Sequence, residues 1–448
     1  MLKPKLLDRR RLLAATAAGL VASPFAVRRS GAQNGPTELT FAFAEDESGA
    51  IQSLIDNFNT EHEGRIRVSW QKAPEQSDAF FRLLQSDFEA GSDEIDVFGA
   101  DVIWTAEFAS KRWIQDLSRR IYADLSTDTI IGAALNSVVY RNRLWAVPWY
   151  TDAGMLFYRR DLLDEAGISE PPATWDELAE IANRVRDATG TAHGLVFQGD
   201  RYEGGVTNAL EFIWSAGGRA WTPQSEVAGA FGARVSEPNV VVLNSRASVA
   251  GFAKARELVE TGVAPEDVAT FDERDALAVF AAGDAVFMRN WPFAYGLLGS
   301  EEFGPVTQDQ VGIAPIPTLR EGARSYSCLG GWNLAVNARS TKVEEAWTFI
   351  RWATETERQR AMAETGGFLP VSDELYDDQA LTETVPVMAL GRDAVRSSRA
   401  RPISTIYSRL SPRLAIAFNR VLTGEVEPLE TIRRTEDELQ RIINRSSG

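Results

Sequence analysis

The sequence predicts an α/β protein of two doubly wound lobes joined by a multi-strand hinge. Strand patterns alternate with amphipathic helix patterns from residue 38 to Asp101 in the order βαβαβ, which is typical of an open parallel sheet. In residues 145–158, two apolar strand patterns meet at a single carboxylate, Asp152. A chain of 448 residues is long enough for two lobes. We therefore expect Asp152 to lie where the chain passes from one lobe to the other.

The first 32 residues have the features of a bacterial export signal. Arg9 and Arg10 precede an apolar, Ala-rich run that ends near Phe25, and small residues allow cleavage near Ala32. The arginine pair favours the twin-arginine route, with an ordinary Sec signal as the alternative. The apolar run is too short to span a membrane. No cysteine lies at the cleavage site, so we expect a periplasmic protein without a lipid anchor.

The charge balance argues against nucleic acid and anionic membranes as partners. The chain has 47 Lys and Arg against 63 Asp and Glu, and loss of residues 1–32 leaves 40 against 62, a net charge of −22. Cys328 is the only cysteine, so a disulfide within the chain is impossible. His62 and His193 are the only histidines and lie far apart, which argues against a histidine metal site or a Ser-His-Asp triad. We expect no metal and no cofactor.

The first lobe is predicted to begin with three strands and three helices. Residues 38–44, 65–70 and 95–99 read as strands, and helices are expected over 48–63 with Ser48 as its cap, over 77–90, and after Asp101. In open α/β sheets, ligands bind beyond the carboxyl ends of the strands. Glu47 and Asp101 fall at such ends, which makes them candidate binding residues.

The second lobe is predicted to follow Asp152. Thr174 and Glu177 have the spacing of a capping box for a helix that ends near Gly190. The other predicted helices and strands of this part are helices at 160–166, 207–216, 248–260 and 274–282 and strands at 193–198 and 285–289.

Two further crossings between the lobes are expected, at 290–293 and at 330–333. The last of these precedes a strand at 334–337, two helices within 342–364 that break near Ala353, and helices from about Pro412 and Pro428. The expected division is 33–150 plus 290–331 for the N-terminal lobe and 152–289 plus 333–448 for the C-terminal lobe, with a ligand cleft between them.

Six ordered stretches of the chain carry a family resemblance: residues 96–108, 147–159, 290–293, 330–336, 366–370 and 401–407. On these motifs the chain resembles an extracellular solute-binding protein of a carbohydrate ABC importer, and it is similar to the trehalose/maltose-binding proteins. The resemblance implies a type II periplasmic binding protein fold, a sugar ligand of disaccharide size, and a monomer that delivers the sugar to a membrane permease. The chain has no GxxxxGK[ST] loop, so ATP would be hydrolysed by a separate subunit.

The same resemblance implies a set of sugar-contacting residues by position. They are Glu47, Asp101, Tyr150, Asp152, Trp291, Phe293, Gly331 through its backbone, Trp332 and Arg401. One departure concerns the helix before Asp101, where relatives place an arginine and this chain has Phe80-Phe81 with Arg82 one step later. That departure leaves the choice of disaccharide open.

The residue types suit a sugar, although each has a structural alternative. Carboxylates accept short, charge-assisted hydrogen bonds from hydroxyls, and aromatic rings can lie flat on C–H faces. Asp152 could instead form a buried ion pair, Glu47 could stabilise a helix N-terminus, and Arg401 could be a surface residue. The tryptophans on helix patterns are expected in the core: Trp104, Trp175, Trp214, Trp347 and Trp352.

Two other functions remain open from the sequence. A secreted glycosidase also needs paired carboxylates and a tryptophan-lined cleft, although the resemblance is to non-catalytic proteins. The same fold could also bind a glycerol-phosphate, a polyol or another small solute. Cys328, just before the third crossing, is expected to be buried and inert.

Overall fold

A computed structural model describes residues 35–222 and 240–446 of the chain. The predicted export signal, residues 1–32, lies outside the described residues. The described strands are β1 (Thr37–Ala44), β2 (Ile66–Ala73), β3 (Val97–Asp101), β4 (Val139–Tyr140), β5 (Arg143–Leu144), β6 (Val147–Ala153), β7 (Met155–Arg159), β8 (His193–Val196), β9 (Ala285–Asn290), β10 (Val311–Ala314), β11 (Leu329–Val336) and β12 (Leu369–Pro370).

The helices bear out most of the predicted ones and add several short ones, but the helix expected from about Pro412 begins earlier, at Tyr407. In the described residues they are α1 (Ala50–Glu61), α2 (Ser77–Glu89), α3 (Thr105–Ser110), α4 (Ser118–Asp124), α5 (Gly132–Ser137), α6 (Arg160–Glu165), α7 (Trp175–Thr189), α8 (Glu203–Ser215), α9 (Arg246–Glu260), α10 (Glu273–Ala281), α11 (Phe293–Gly296), α12 (Val343–Ala353), α13 (Thr356–Gly366), α14 (Gln379–Thr384), α15 (Val387–Ser397), α16 (Tyr407–Leu422) and α17 (Pro428–Ser446). Single 3₁₀ turns lie at Thr127–Thr129, Glu266–Thr270, Gln308–Gln310 and Asp373–Asp377.

Helix caps were predicted with mixed success. The Thr174–Glu177 capping box is present at the start of α7, with both reciprocal hydrogen bonds formed. At α1 the predicted Ser48 cap is wrong, because Gly49 occupies the N-cap position. Asp46, which lies outside the helix, caps its first turn instead, since its Oδ2 accepts from the backbone N–H of Ile51 at 2.9 Å. An aspartate five residues upstream is not a pattern that local spacing reveals.

Two sheets form the two lobes. The first has the strand order β12-β6-β11-β3-β1-β2, in which β1 runs parallel to both β2 and β3 and β11 runs antiparallel to its neighbours. The second has the order β10-β7-β9-β8, in which only β8 and β9 are parallel. The predicted βαβαβ unit is therefore the outer half of the first sheet, and the fold is the predicted α/β arrangement of two lobes.

The passage between the lobes lies at Asp152, as the sequence predicts. β6 belongs to the first sheet and β7 to the second, and only Gly154 separates them. A Cβ on Gly154 would lie 2.1 Å from Oε1 of Glu211 and 2.4 Å from Nη2 of Arg289. This residue must therefore lack a side chain, because the buried Arg289–Glu211 ion pair fills the space beside the hinge.

The strand pairing differs from the expected lobe bounds in two segments. β10, from the segment 290–331 expected in the N-terminal lobe, pairs with β7 in the second sheet. The residues of β11 beyond 332, expected in the C-terminal lobe, pair with β3 in the first sheet, and α12 packs in the same core. The chain therefore does not change sheets at 290–293. Pairing partners far apart in sequence decide these positions, and no local pattern records them.

Three apolar cores support the lobes and the space between them. One lies under the first sheet, one under the second, and the third joins β7 and β9 to α13, β12 and α15. The five helix-borne tryptophans predicted for the core are all at most 6% exposed. Across residues 35–222 and 240–446, no helix is both long enough and apolar enough to cross a membrane.

Candidate functional site

A cleft opens between the lobes at the carboxyl ends of the parallel strands. The loops after β1 and β2 and the last residue of β3 supply residues 44–48, residues 75–77 and Asp101 to its wall. This is where open α/β sheets bind ligands. The second lobe contributes the first turns of α8 and α10. The cavity encloses about 1230 Å³ of empty space, open solvent at its mouth included.

The register of three central strands groups the first set of site residues. Trp332 on β11 lies directly opposite Asp101 on β3 and opposite Tyr150 on β6. Gly330 lies opposite Asp152, at the end of β6 where the chain leaves the sheet. Residues opposite each other share a face of the sheet, so these side chains meet at one edge of the cleft.

All nine residues implied by the family resemblance line this one cavity. The structure thus brings them together, and contact with a ligand stays a prediction. Gly331 has φ = +118°, and a Cβ there would lie 2.6 Å from the carbonyl oxygen of Tyr150. Its backbone carbonyl accepts from the N–H of Val102 at 3.2 Å. Only glycine fits this position, so any role for Gly331 is a backbone role.

Asp152 is a buried carboxylate without a hydrogen bond at Oδ1. Its residue is 8% exposed, and Oδ1 has no partner in the described structure. Burial raises the pKa of Asp152 well above its ordinary value of 3.8, the Asp101 charge adds to the rise, and Arg289 opposes it. The ion-pair alternative would require a cation within contact distance, and the described residues provide none at 4.0 Å or less. A hydroxyl group in the cleft would satisfy this oxygen.

Arg401 is not a surface residue, which is the alternative left open by its sequence context. It is 4% exposed, and its Nη1 donates to Glu203 at 2.7 Å while Nη2 donates to the Leu329 carbonyl at 3.2 Å. Nη2 also lies 3.5 Å from Oδ1 of Asp101, so Arg401 joins a second-lobe acid to a first-lobe acid. Burial disfavours its charge, yet Asp101 and Glu203 together hold the pKa of Arg401 well above its usual range.

The aromatic residues of the site are held by other rings. Trp332 contacts Phe43 edge-on at a centroid distance of 5.0 Å and stacks on Phe80 at 6.0 Å. Trp291 donates its Nε1–H to Glu273 at 3.2 Å, and the guanidinium of Arg289 lies 4.1 Å from its ring centre. Both indoles are only partly buried, and both line the cavity.

Polar pairs between the lobes lie at the mouth of the cleft. Arg274 on α10 forms ion pairs with Glu47 and, at 3.2 Å, with Glu75, both of the first lobe. Gln76 adds a hydrogen bond to Asp272 at 3.3 Å. Glu47 therefore neither caps α1 nor stands free, since it bonds to the opposite lobe. These contacts hold the two lobes together over the cavity.

The structure shows where Phe80 and Arg82 lie, the residues at which this chain departs from the arginine of its relatives. Arg82 is exposed and pairs with Asp78 at 2.6 Å on the same helix, and it does not line the cavity. Phe80 is buried beneath Trp332 instead. Ser77, one turn earlier, lines the cleft and donates to Oδ2 of Asp101 at 2.7 Å.

Sequence reasoning missed the second-lobe wall of the site. Tyr202, Glu203, Glu273 and Arg274 sit at the first turns of α8 and α10, where polar residues usually serve only as caps. Glu203 accepts from Tyr407 at 2.7 Å, and burial raises its pKa although Arg401 lies beside it. The one available signal is a polar run just before the helix predicted at 207–216 and another at the start of the helix predicted at 274–282.

Acidic groups dominate the cavity wall. Among the described residues, the first lobe and hinge supply Glu45, Asp46, Glu47, Glu75, Asp101 and Asp152. The second lobe supplies Glu203, Asp272 and Glu273. Two cations, Arg274 and Arg401, stand against these nine acids.

The described residues offer no group of three or more His, Cys, Asp or Glu arranged to hold a metal ion. Cys328 is fully buried, as expected, and burial raises the pKa of its thiol to about 12, which argues against a reactive thiolate. The arrangement is suited to binding: acceptor oxygens and aromatic faces surround a space large enough for a polar solute.

Comparisons with known proteins match this geometry. A family model described as bacterial extracellular solute-binding protein matches residues 44–360. A probable ABC transporter-binding protein of Deinococcus radiodurans is 33% identical over 84% of this chain and 87% of its own length. The erythritol/L-threitol-binding protein of Mycolicibacterium smegmatis is 24% identical over 78% of this chain and 76% of its own length.

The solved structures agree on the fold. The maltose-bound MalE3 protein of T. maritima has a TM-score of 0.81 and 31% sequence identity, covering 91% of this chain and all of that one. The chain therefore belongs to the bacterial extracellular solute-binding proteins.

Proposed function

We propose that this protein is the periplasmic receptor of an ABC importer for sugars or polyols and that its preferred ligand is a disaccharide of the maltose or trehalose type. It captures the sugar without chemical change, closes about the hinge at Asp152, and delivers the sugar to a membrane permease served by a separate ATPase. The protein acts as a monomer after export and removal of the signal peptide.

The observation that carries the proposal is the unpaired oxygen of Asp152 beside the aromatic edge of the cleft. A sugar hydroxyl can donate to Oδ1, which relieves a buried acceptor and forms a charge-assisted bond. The faces of Trp332 and Trp291 can cover the apolar C–H patches of the ring. The likeness to a maltose-bound protein at 31% identity supports a disaccharide in this role.

Closure follows from contacts that both lobes contribute. The first lobe supplies Asp101 and the second lobe supplies Glu203, and a ligand that contacts both binds the closed form more tightly than the open form. Such a difference in affinity shifts the population towards closure, which is the motion expected for two lobes on a hinge. The permease would then distinguish loaded from empty protein by shape.

The test is isothermal titration of residues 33–448 with maltose, trehalose, sucrose, glucose, ribitol and glycerol-3-phosphate, with product analysis of the same samples. We expect saturable binding of a disaccharide that is recovered intact. Binding of ribitol alone would move the ligand to the polyols. Hydrolysed sugar would instead indicate a glycosidase, and no heat from any of the six would reject the ligand class.

A further inference from the structure

The formal charge of the cleft is far from neutral. Nine carboxylates and two guanidinium groups line it in the described part of the chain, a net of −7. Both cations are already engaged, because Arg401 bonds to Glu203 and Asp101 and Arg274 bonds to Glu47 and Glu75. No lysine lines the cavity among these residues. Glu45 pairs with Lys72, which lies outside the cavity wall, so the lining acids that form no ion pair among the described residues are Asp46, Asp152, Asp272 and Glu273.

One acid stands out because a buried oxygen of its carboxylate has no hydrogen-bond partner in the described structure. Asp101 accepts from Ser77 and from the N–H of Ile103, and Glu203 accepts from Tyr407. Asp152 is more than nine-tenths buried, faces the cavity, and has an orphan Oδ1. A neutral hydroxyl can satisfy the hydrogen bond of this oxygen, but it leaves the charge imbalance of the cleft as it was.

We propose that the preferred solute is an amine-bearing sugar whose ammonium group pairs with Asp152. This rests on the proposed function, since it names the class of sugar that the same cleft takes. A cation would relieve the orphan oxygen and lower the mutual repulsion of the acids in one contact. The rings of Trp332 and Tyr150, which line the same edge, favour a cation over their faces. An organic cation fits better than a metal ion, since no described acids have a metal-binding arrangement.

The titration behaviour of the acids agrees with this geometry. The pKa values of Asp152 and Glu203 are both raised, mainly by burial, and the Asp101 charge raises each further. The pKa of Glu75 at the mouth is raised as well, by burial and by its neighbours Glu47, Asp272 and Glu45, against the opposing effect of Arg274. A bound positive charge would reverse these rises, because it stabilises the ionised form of each acid.

The experiment compares matched ligands on the same protein, residues 33–448. Trehalose and maltose are each titrated beside the analogue in which one hydroxyl is replaced by an amino group, and beside the N-acetylated form of that analogue, which keeps the nitrogen and removes the charge. We expect the amine to bind about tenfold tighter than the neutral parent or more. The advantage should shrink between about 20 mM and about 500 mM salt, because screening acts on the charged ligand alone.

Two variants test whether the preference for the amine depends on the acids of the cleft. Asp152→Asn should reduce the ratio of amine to parent affinity towards one. If this variant binds no sugar, Glu75→Gln is measured instead. Glu75 lies at the mouth of the cleft, outside the aromatic edge, and its replacement removes one negative charge. The ratio of amine to parent affinity should then fall about threefold. Equal or weaker binding of the amine while the parent sugars bind would overturn the inference and leave the proposed function intact. Binding of the amine alone would support the inference and remove the neutral disaccharide from the proposed function.

Discussion

Replacement of Asp152 by asparagine tests the central argument about the cleft. In the empty protein, Asp152→Asn should raise the free energy of unfolding by about 1 to 3 kcal/mol at neutral pH, because a buried acceptor without a partner no longer carries charge. For a chain of this length, with an unfolding entropy of about 0.9 kcal/mol/K, that is an increase in Tm of about 1 to 3 °C. The same variant should bind the sugar about 10 to 150-fold more weakly, since a hydrogen bond to a charged group contributes about 1.5 to 3 kcal/mol.

The pH dependence gives the sign of the stability effect. The folded-state pKa of Asp152 lies above its ordinary value of 3.8. Below pH 3.8 the carboxyl is protonated in both states and does not oppose folding. As the pH rises, the unfolded chain ionises first, so stability is lost until the pH has passed the folded-state pKa. Asparagine does not titrate, so the Tm advantage of the variant should grow from near zero in acid and level off once the pH has passed the folded-state pKa of Asp152.

Asp96 provides the matched control, because it is a buried aspartate with every oxygen partnered. Its residue is 0% exposed, and it accepts from Thr40 at 3.0 Å, from Ser340 at 2.7 Å and from Lys342 at 2.9 Å. Asp96→Asn should lower the free energy of unfolding by about 1 to 3 kcal/mol and leave sugar affinity unchanged. Thermal unfolding and titration calorimetry measure both. Loss of stability in empty Asp152→Asn, or unaltered affinity, would refute the reasoning.

Three other substitutions test the surroundings of the cleft. Trp332→Ala should weaken sugar binding by about 1 to 3 kcal/mol and also lower stability by about 3 to 5 kcal/mol, since the ring packs edge-on against Phe43; calorimetry showing unchanged affinity would place this ring wholly in the core. Arg289→Met should lower the free energy of unfolding, measured by urea denaturation, by about 3 to 5 kcal/mol, because it leaves Glu211 buried without its cationic partner. Adding Glu211→Met should recover most of that loss. A double variant as unstable as the single one would contradict the ion-pair account. Arg274→Gln removes half-exposed ion pairs between the lobes, so it should weaken binding by at most about 1 kcal/mol, with an effect that vanishes at high salt and a larger radius of gyration by X-ray scattering; an identical scattering curve would show that these pairs do not hold the lobes.

The local part of the fold was readable from the sequence, and the pairing of its later strands was not. Alternating patterns gave the βαβαβ unit and the passage at Asp152, because those features depend on neighbours within a few residues. Which lobe contains residues 311–314, and which contains residues 333–336, depends on the distant strand that each segment joins. β10 pairs with β7 from a separation of about 150 residues, and nothing in its four apolar residues states that choice.

The candidate site shows the same division. The first-lobe residues could be placed by position because they follow strand ends, and the family resemblance supplied those at the crossings. Glu203 and Arg274 were missed because a polar residue at a helix start is usually explained by the helix itself. Arg401 lines the cavity, and its role in binding stays a prediction; its burial between two acids became visible only when α8 and β3 were brought together.

The position of β11 in the first sheet has a consequence for how the chain acquires its structure. This strand sits between β3 and β6 and pairs with both, so it fills the centre of a sheet whose first strand begins near residue 37. A chain that has been synthesised only to residue 300 contains β1, β2, β3 and β6 of that sheet but lacks β11, which joins β3 to β6, and the edge strand β12. Contacts this distant in sequence close slowly, since much of the chain must be ordered before they form. The first sheet, although it begins with the first strand of the chain, therefore cannot be completed until residues 329–370 have been synthesised.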